Sequence, residues 1–276
     1  MKTYLNKTLD WQRKDFVNQY DELPLWSSPF GRLLLDHVPM GDYQNYLDIG
    51  CGTGFPLIEL SQRLGADCHA YGLDPWKEAM LRAKSKIDTL GMTNIRLIEQ
   101  DASLIPFPDE TFDLITSNLG VNNFDQPQAV LAECFRTLKP GASLCITTNL
   151  AGCFDEFFSI FGRTLREAGI NNCFPKLEEH IRHRGTPESH SGHAEKVGFR
   201  VVRKVEEEYA MRFRNGSAFL NHSFILGGFM ETWKNIIAEK DRESFFDRLE
   251  SNLNASALQN GEFRVTIPML YLECRK

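Results

Sequence analysis

From Tyr43 onward the chain alternates between short apolar runs and longer stretches whose apolar residues recur at helical spacing. Short apolar runs bounded by turn residues read as buried strands, and the longer period reads as helices packed on them. The pattern predicts a strand over about 45–49 and a helix over 55–64. A second strand, Cys68–Leu73, ends on Asp74, with Pro75 opening a helix that runs to Leu90 and stops at Gly91. A third strand is expected over Ile95–Gln100, ending on Asp101, and a fourth over Phe112–Ser117, ending on Asn118. A helix over 127–138 stops at Lys139-Pro140-Gly141 and leads into a fifth strand, Ser143–Thr148. Strands and helices in this alternation predict an α/β fold built on a doubly wound, mostly parallel sheet.

On either side of this core the beat changes. Before it, Asp15–Tyr20 is helical in pattern, Pro24, Ser27-Ser28-Pro29 and Gly31 interrupt, and Phe30–Leu35 restarts a helix closed by Pro39 and Gly41. Tyr20, Trp26 and Phe30 read as aromatic anchors of a strap or lid. After Leu150, helices are expected over Phe154–Ala168 and Leu177–Arg184, with a third begun by Thr186-Pro187-Glu188 and ended by Gly198. A strand over Phe199–Arg214, a helical block to about Ile237, a helix over Arg242–Leu258 and a last strand over Phe263–Glu273 complete the chain. The two late strands are expected to pair antiparallel at one side of the sheet. The expected organisation is a strap over 1–40, a sheet domain over 41–214 and 260–276, and an inserted helical cap over 215–259.

The stretch that promises chemistry is Leu47-Asp48-Ile49-Gly50-Cys51-Gly52-Thr53-Gly54, a strand running into a glycine turn and then a helix. Such a turn lies at the carboxyl end of a parallel strand, where open α/β sheets bind ligands. Glycine there permits a sharp turn and close approach of a ligand to the backbone. The dinucleotide fingerprint asks for glycine three residues after its second glycine, and Phe55 stands there instead. Asp74, Asp101 and Asn118, ending successive strands, fall on the same rim. Asp74 is suited to accept from both ribose hydroxyls, and Asp101, with the Ala102 backbone, to meet an adenine edge.

Composition narrows the setting. The chain has 276 residues, a net charge of −6 and an ordinary globular balance of apolar and charged residues. An acidic chain without a basic patch argues against nucleic-acid binding. The apolar stretch Phe224–Met230 is too short to span a bilayer, and the first residues lack the apolar region of a signal peptide. Seven cysteines without paired spacing read as free thiols, which points to the cytoplasm.

Leu47–Gly54, Gly72-Leu73-Asp74, Gln100-Asp101-Ala102, Phe107–Asp113 and Leu138–Ala142 together resemble the successive motifs of class I S-adenosylmethionine-dependent methyltransferases. Within that superfamily they are most similar to the small-molecule branch that includes the ubiquinone and menaquinone C-methyltransferases. The resemblance covers roughly residues 42–150. It implies a seven-stranded sheet with an antiparallel last strand pair, S-adenosylmethionine as cofactor and a small-molecule acceptor. It also implies that Asp48, Gly50, Cys51, Gly52 and Gly54 line the methionine moiety, and that Asp74, with Pro75 and Trp76 after it, holds the ribose. Asp101 and Ala102 would face the adenine, and Asn118, Leu119 and Gly120 would border the sulfonium and the acceptor.

The acceptor side is less legible. His180, His183, His190 and His193 crowd one segment without the cysteine spacing of a zinc site, so no metal is expected. His222 and His183 are the candidates for a base. Arg184 could border the acceptor; Arg212 and Arg214 could pair an acidic one, or face solvent. Phe219, Phe224, Phe229 and Trp233 read as packing more than as an aromatic box, Glu206–Glu208 as a solvated edge, and Cys51 as small rather than reactive. Two other functions fit parts of the pattern: a nicotinamide-dinucleotide oxidoreductase, and a protein that binds S-adenosylmethionine without catalysis.

Overall fold

The computed structural model describes residues 2–7, 9–182 and 184–276. Its sheet comprises β1 (Asn45–Ile49), β2 (His69–Leu73), β3 (Ile95–Ile98), β4 (Phe112–Asn118), β5 (Leu138–Asn149), β6 (Arg200–Phe213) and β7 (Phe263–Arg275), in the order β3-β2-β1-β4-β5-β7-β6. β1 pairs in parallel with β2 (Asp48 beside Gly72) and with β4 (Asp48 beside Thr116). β5 and β7 pair antiparallel, Ser143 opposite Arg275. The winding direction reverses between β1 and β4, so the carboxyl ends of these two strands flank the crevice that a doubly wound sheet offers a ligand.

The chain forms two compact units. One comprises residues 12–149, 185–207 and 269–276, and the other residues 1–11, 150–184 and 208–268. This division is drawn differently from the strap, sheet and cap expected from sequence. Residues 1–11 join the helical unit, where the buried Tyr4 hydroxyl donates to Glu250 at 3.0 Å. Residues 150–184 join it as well, because the Asp155–Ala168 helix packs on the Glu239–Asn260 helix through Phe161 and Phe245, their rings 4.8 Å apart. At the centre of this unit Trp233 is fully buried and stacks on Phe157 at 4.2 Å. Burying such rings supplies much of a small unit's cohesion.

Several expected boundaries move. Ser27–His37 is one continuous helix through Pro29 and Gly31. Pro29 falls in its first turn, where the missing N–H has no intrahelical partner to lose. β3 ends at Ile98, which leaves Asp101 in the following loop. The helix after β2 begins at Lys77, not Pro75, because the Asp74 carboxylate accepts the Trp76 N–H at 2.7 Å and holds that residue extended. β5 starts at Leu138 and runs through Lys139-Pro140-Gly141, its register to β4 slipping between Phe112 and Leu114 to absorb the extra residues. The block after Asn215 is three short helices, Gly216–Leu220, Ser223–Gly228 and Met230–Ile236. The helix expected over Leu177–Arg184 spans Phe174–Arg182.

Candidate functional site

The apolar positions of β1 bury the strand completely from Tyr46 to Ile49, so its exit into the turn has little freedom. Gly50, Gly52 and Gly54 all take positive φ, at +71°, +50° and +97°. The turn is tied to β2 by the Gly50 N–H donating to the Leu73 carbonyl at 2.8 Å. A side chain at Gly52 would meet no atom within 4 Å, so that flank of the turn is a cradle that a Cβ would fill. The Gly52 N–H donates to one Asp74 oxygen at 2.8 Å and the Trp76 N–H to the other. Each oxygen keeps a second lone pair for a ligand hydroxyl. Burial raises the Asp74 pKa, an effect those two N–H groups offset in part.

Asp48 lies behind the turn, 1% exposed. The Thr116 hydroxyl donates to its Oδ1 at 2.6 Å, and the Tyr46 hydroxyl, 2.7 Å from Thr116 Oγ1, donates in turn to Thr116. Oδ2 is buried with no hydrogen-bond partner. Burial pushes the Asp48 pKa up to about 7; the Thr116 hydroxyl opposes this, and the nearby Asp74 charge adds to it. An orphaned buried carboxylate oxygen beside a second carboxylate is a place that gains free energy from a cation. S-adenosylmethionine brings an ammonium and a sulfonium, and its ribose brings hydroxyls for Asp74. The residues present therefore fit that cofactor. Asp48 and the turn would hold the methionine end, and Asp74 the ribose.

The remaining predicted residues fall as follows. Cys51 is buried with its Sγ 3.6 Å from Met80 Sδ, and burial pushes its thiol pKa far up, which keeps it protonated and unreactive. Pro75 and Trp76 follow Asp74 on the rim, Trp76 packing against Tyr20 at 5.9 Å. Asp101 is exposed and accepts the Ser103 N–H at 2.8 Å, while Ala102 is buried. Asn118 donates to the Ser27 carbonyl at 3.2 Å and accepts from Thr147 at 2.8 Å, so its amide ties strand to strap. Leu119 after it takes φ +65° and is buried.

Of the base candidates, His183 lies outside the described residues. His222 heads the Ser223–Gly228 helix against the Phe213 ring at 5.4 Å, and burial lowers its pKa. His180 packs on Phe158 in the helical unit; His190 and His193 belong to the sheet unit, His193 exposed. Arg212 pairs with Glu262 at 2.6 Å. The edge at Glu206–Glu208 is more engaged than expected: Glu207 pairs with Arg32 and Glu208 with Arg264. Phe219, Phe224, Phe229 and Trp233 sit on separate short elements, yet their rings converge, Phe229 5.5 Å from Trp233. Sequence reading passed over Tyr46 and Thr116, because Thr116 meets Asp48 only through the pairing of β1 with β4. It also passed over Asp21, Arg82 and Lys86.

Sheet order, the switch-point turn and the acidic rim define a doubly wound α/β domain with a ligand crevice at the tips of β1 and β4. Residues 47–146 match the family described as "Methyltransferase domain". A demethylmenaquinone methyltransferase of Listeria welshimeri is 38% identical over 107 residues, a match covering 38% of this chain and 45% of that relative. The chain thus spans less than half the length of the curated relatives it matches. Among solved structures, the YcgJ protein from Bacillus subtilis superposes with a TM-score of 0.58 at 18% identity, covering 90% of this chain and 98% of that one. A SAM-dependent methyltransferase from Aquifex aeolicus does so with a TM-score of 0.52 at 22% identity, covering 72% and 93%.

Proposed function

We propose that this chain transfers the methyl group of S-adenosylmethionine to a small organic acceptor. The observation that carries the reading is the buried, unpartnered Asp48 oxygen behind a glycine turn whose outer flank is open. When bound, the cofactor supplies an electrophilic methyl on a sulfonium, which passes in line to a nucleophile. Asp48, held by Thr116 and Tyr46, orients the methionine end by charge. Asp74 fixes the ribose, and through its bond to the Gly52 N–H it also sets the shape of the turn. The residues' contribution is alignment and exclusion of water, which suits a displacement in which charge disappears.

In this reading the sheet unit supplies the cofactor site. His222 is the base candidate, and burial lowers its pKa. Likeness to demethylmenaquinone methyltransferases makes a quinol or phenol ring the first acceptor to try. All seven cysteines are free and buried, which supports a reducing, cytoplasmic setting. Among the described residues no helix is long and apolar enough to cross a membrane. Transfer of label from methyl-tritiated cofactor into a panel of phenols and quinols, beside a thermal-shift comparison of S-adenosylhomocysteine with NAD, tests the reading. Stabilisation by the former only, with label in a ring acceptor, is the expected result.

A further inference from the structure

The segment before β1 is bound to three of the rim's strand tips, all within the sheet unit. At the β1 turn, the Phe55 ring occupies the notch left by Gly31: a Cβ there would lie 2.1 Å from Phe55 Cε1. Thr53 of the same turn lies close enough to the Asp21 carboxylate to favour its charged form. At the β2 tip, Tyr20 packs on Trp76 and lies close enough to Asp74 to feel its charge. At the β4 tip, Asn118 holds the Ser27 carbonyl. Asp21 is the joint of this arrangement. Its side chain is 9% exposed and accepts from Arg82 Nε at 2.7 Å and from Lys86 Nζ at 2.6 Å, both on the helix that follows Asp74.

We infer that the Lys14–Glu22 helix is the outer wall of the cofactor site, and that Asp21 is a positioning residue that latches it across the glycine turn. The inference rests on the reading of the rim as an adenosylmethionine site. A passive surface helix has no need of a carboxylate shared by two cations and set beside the turn. A part-buried ion cluster contributes little net stability against an apolar contact, but it fixes one register of packing. Arg82 and Lys86 also line a cavity of about 500 Å³ that begins beside Gly54 and Phe55. The cations thus stay hydrated on one side when the carboxylate leaves, which keeps the latch reversible instead of sealed. Opening admits the cofactor, and closing brings Tyr20 back over the ribose end.

The test compares S-adenosylhomocysteine binding to the wild-type chain with Asp21→Asn, Asp21→Glu and Tyr20→Ala, by calorimetry and by stopped-flow release followed through Trp76 fluorescence. If loss of the latch lowers the closed fraction about tenfold, apparent affinity falls by the same factor. Asp21→Asn and Tyr20→Ala are expected to bind about tenfold more weakly, with faster release and increased amide exchange over residues 14–22. Asp21→Glu is expected to recover most of the affinity. Wild-type affinity and release in Asp21→Asn, with residues 14–22 exchanging faster, would overturn the inference while leaving the cofactor reading intact. A wild-type chain that binds no S-adenosylhomocysteine would instead overturn the cofactor reading. Should Asp21→Asn fail to fold, Tyr20→Ala decides alone, since it leaves the ion cluster untouched.

Discussion

At the scale of single residues, the two rim aspartates carry opposite burdens. Asp74 is satisfied by backbone donors before any ligand arrives, whereas Asp48 keeps one oxygen empty-handed. Replacing Asp74 by alanine removes the ribose acceptor and loosens the Gly52 turn. The expected loss of S-adenosylhomocysteine affinity is on the order of 2–5 kcal/mol by calorimetry. Asp48 predicts a pH effect. Its folded pKa, about 7, lies above the ordinary 3.8. A group raised in the folded state holds its proton more tightly there, so its stabilising share is complete below the lower value and is lost as pH rises through the upper one. Denaturant unfolding should show stability falling between about pH 4 and 7 by a few kcal/mol, a slope that Asp48→Asn removes. A cationic ligand end beside Asp48 expels that proton, so binding heats near pH 6.5 should vary with the ionisation enthalpy of the buffer. The places of Asp48 and Asp74 were legible because they follow from local order: strand, turn, strand tip. Thr116 and Tyr46 were not, because what makes them matter is a partner on a neighbouring strand.

At the scale of elements, sequence located every strand of the sheet but misjudged how the helix before β1 docks. Gly31 and Pro29 read as interruptions when judged by propensity alone. Packing reverses that reading, since Gly31 is small in order to receive Phe55, the residue that also breaks the dinucleotide spacing. No local pattern links residues twenty-four positions apart, so this pairing could not be foreseen. Gly31→Ala forces the Phe55 ring aside and should cost about 1–3 kcal/mol in denaturant unfolding. In a double-mutant cycle with Phe55→Ala most of that cost should disappear, because the space is then open. Additive effects would mean that the ring and the notch do not meet.

At the scale of the whole molecule, the half with cofactor motifs was readable and the helical unit was not. Motif spacing constrains residues 42–150, where the proposed cofactor site draws on successive strand tips. In residues 150–184 and 208–268 aromatic packing predominates, and many sequences satisfy it. Trp233 is the clearest single contributor there, stacked between Phe157 and Phe219. Trp233→Ala should destabilise the protein by about 3–5 kcal/mol, measured by chemical unfolding with circular dichroism.

The path of the chain through the two units has a consequence for synthesis. β7 gives its first residues, up to Pro268, to the helical unit and the rest to the sheet unit, where Met269 to Arg275 line up on β5. A nascent polypeptide therefore cannot finish either unit until this strand has left the ribosome. Until then the apolar edge of β5 is open to wrong partners.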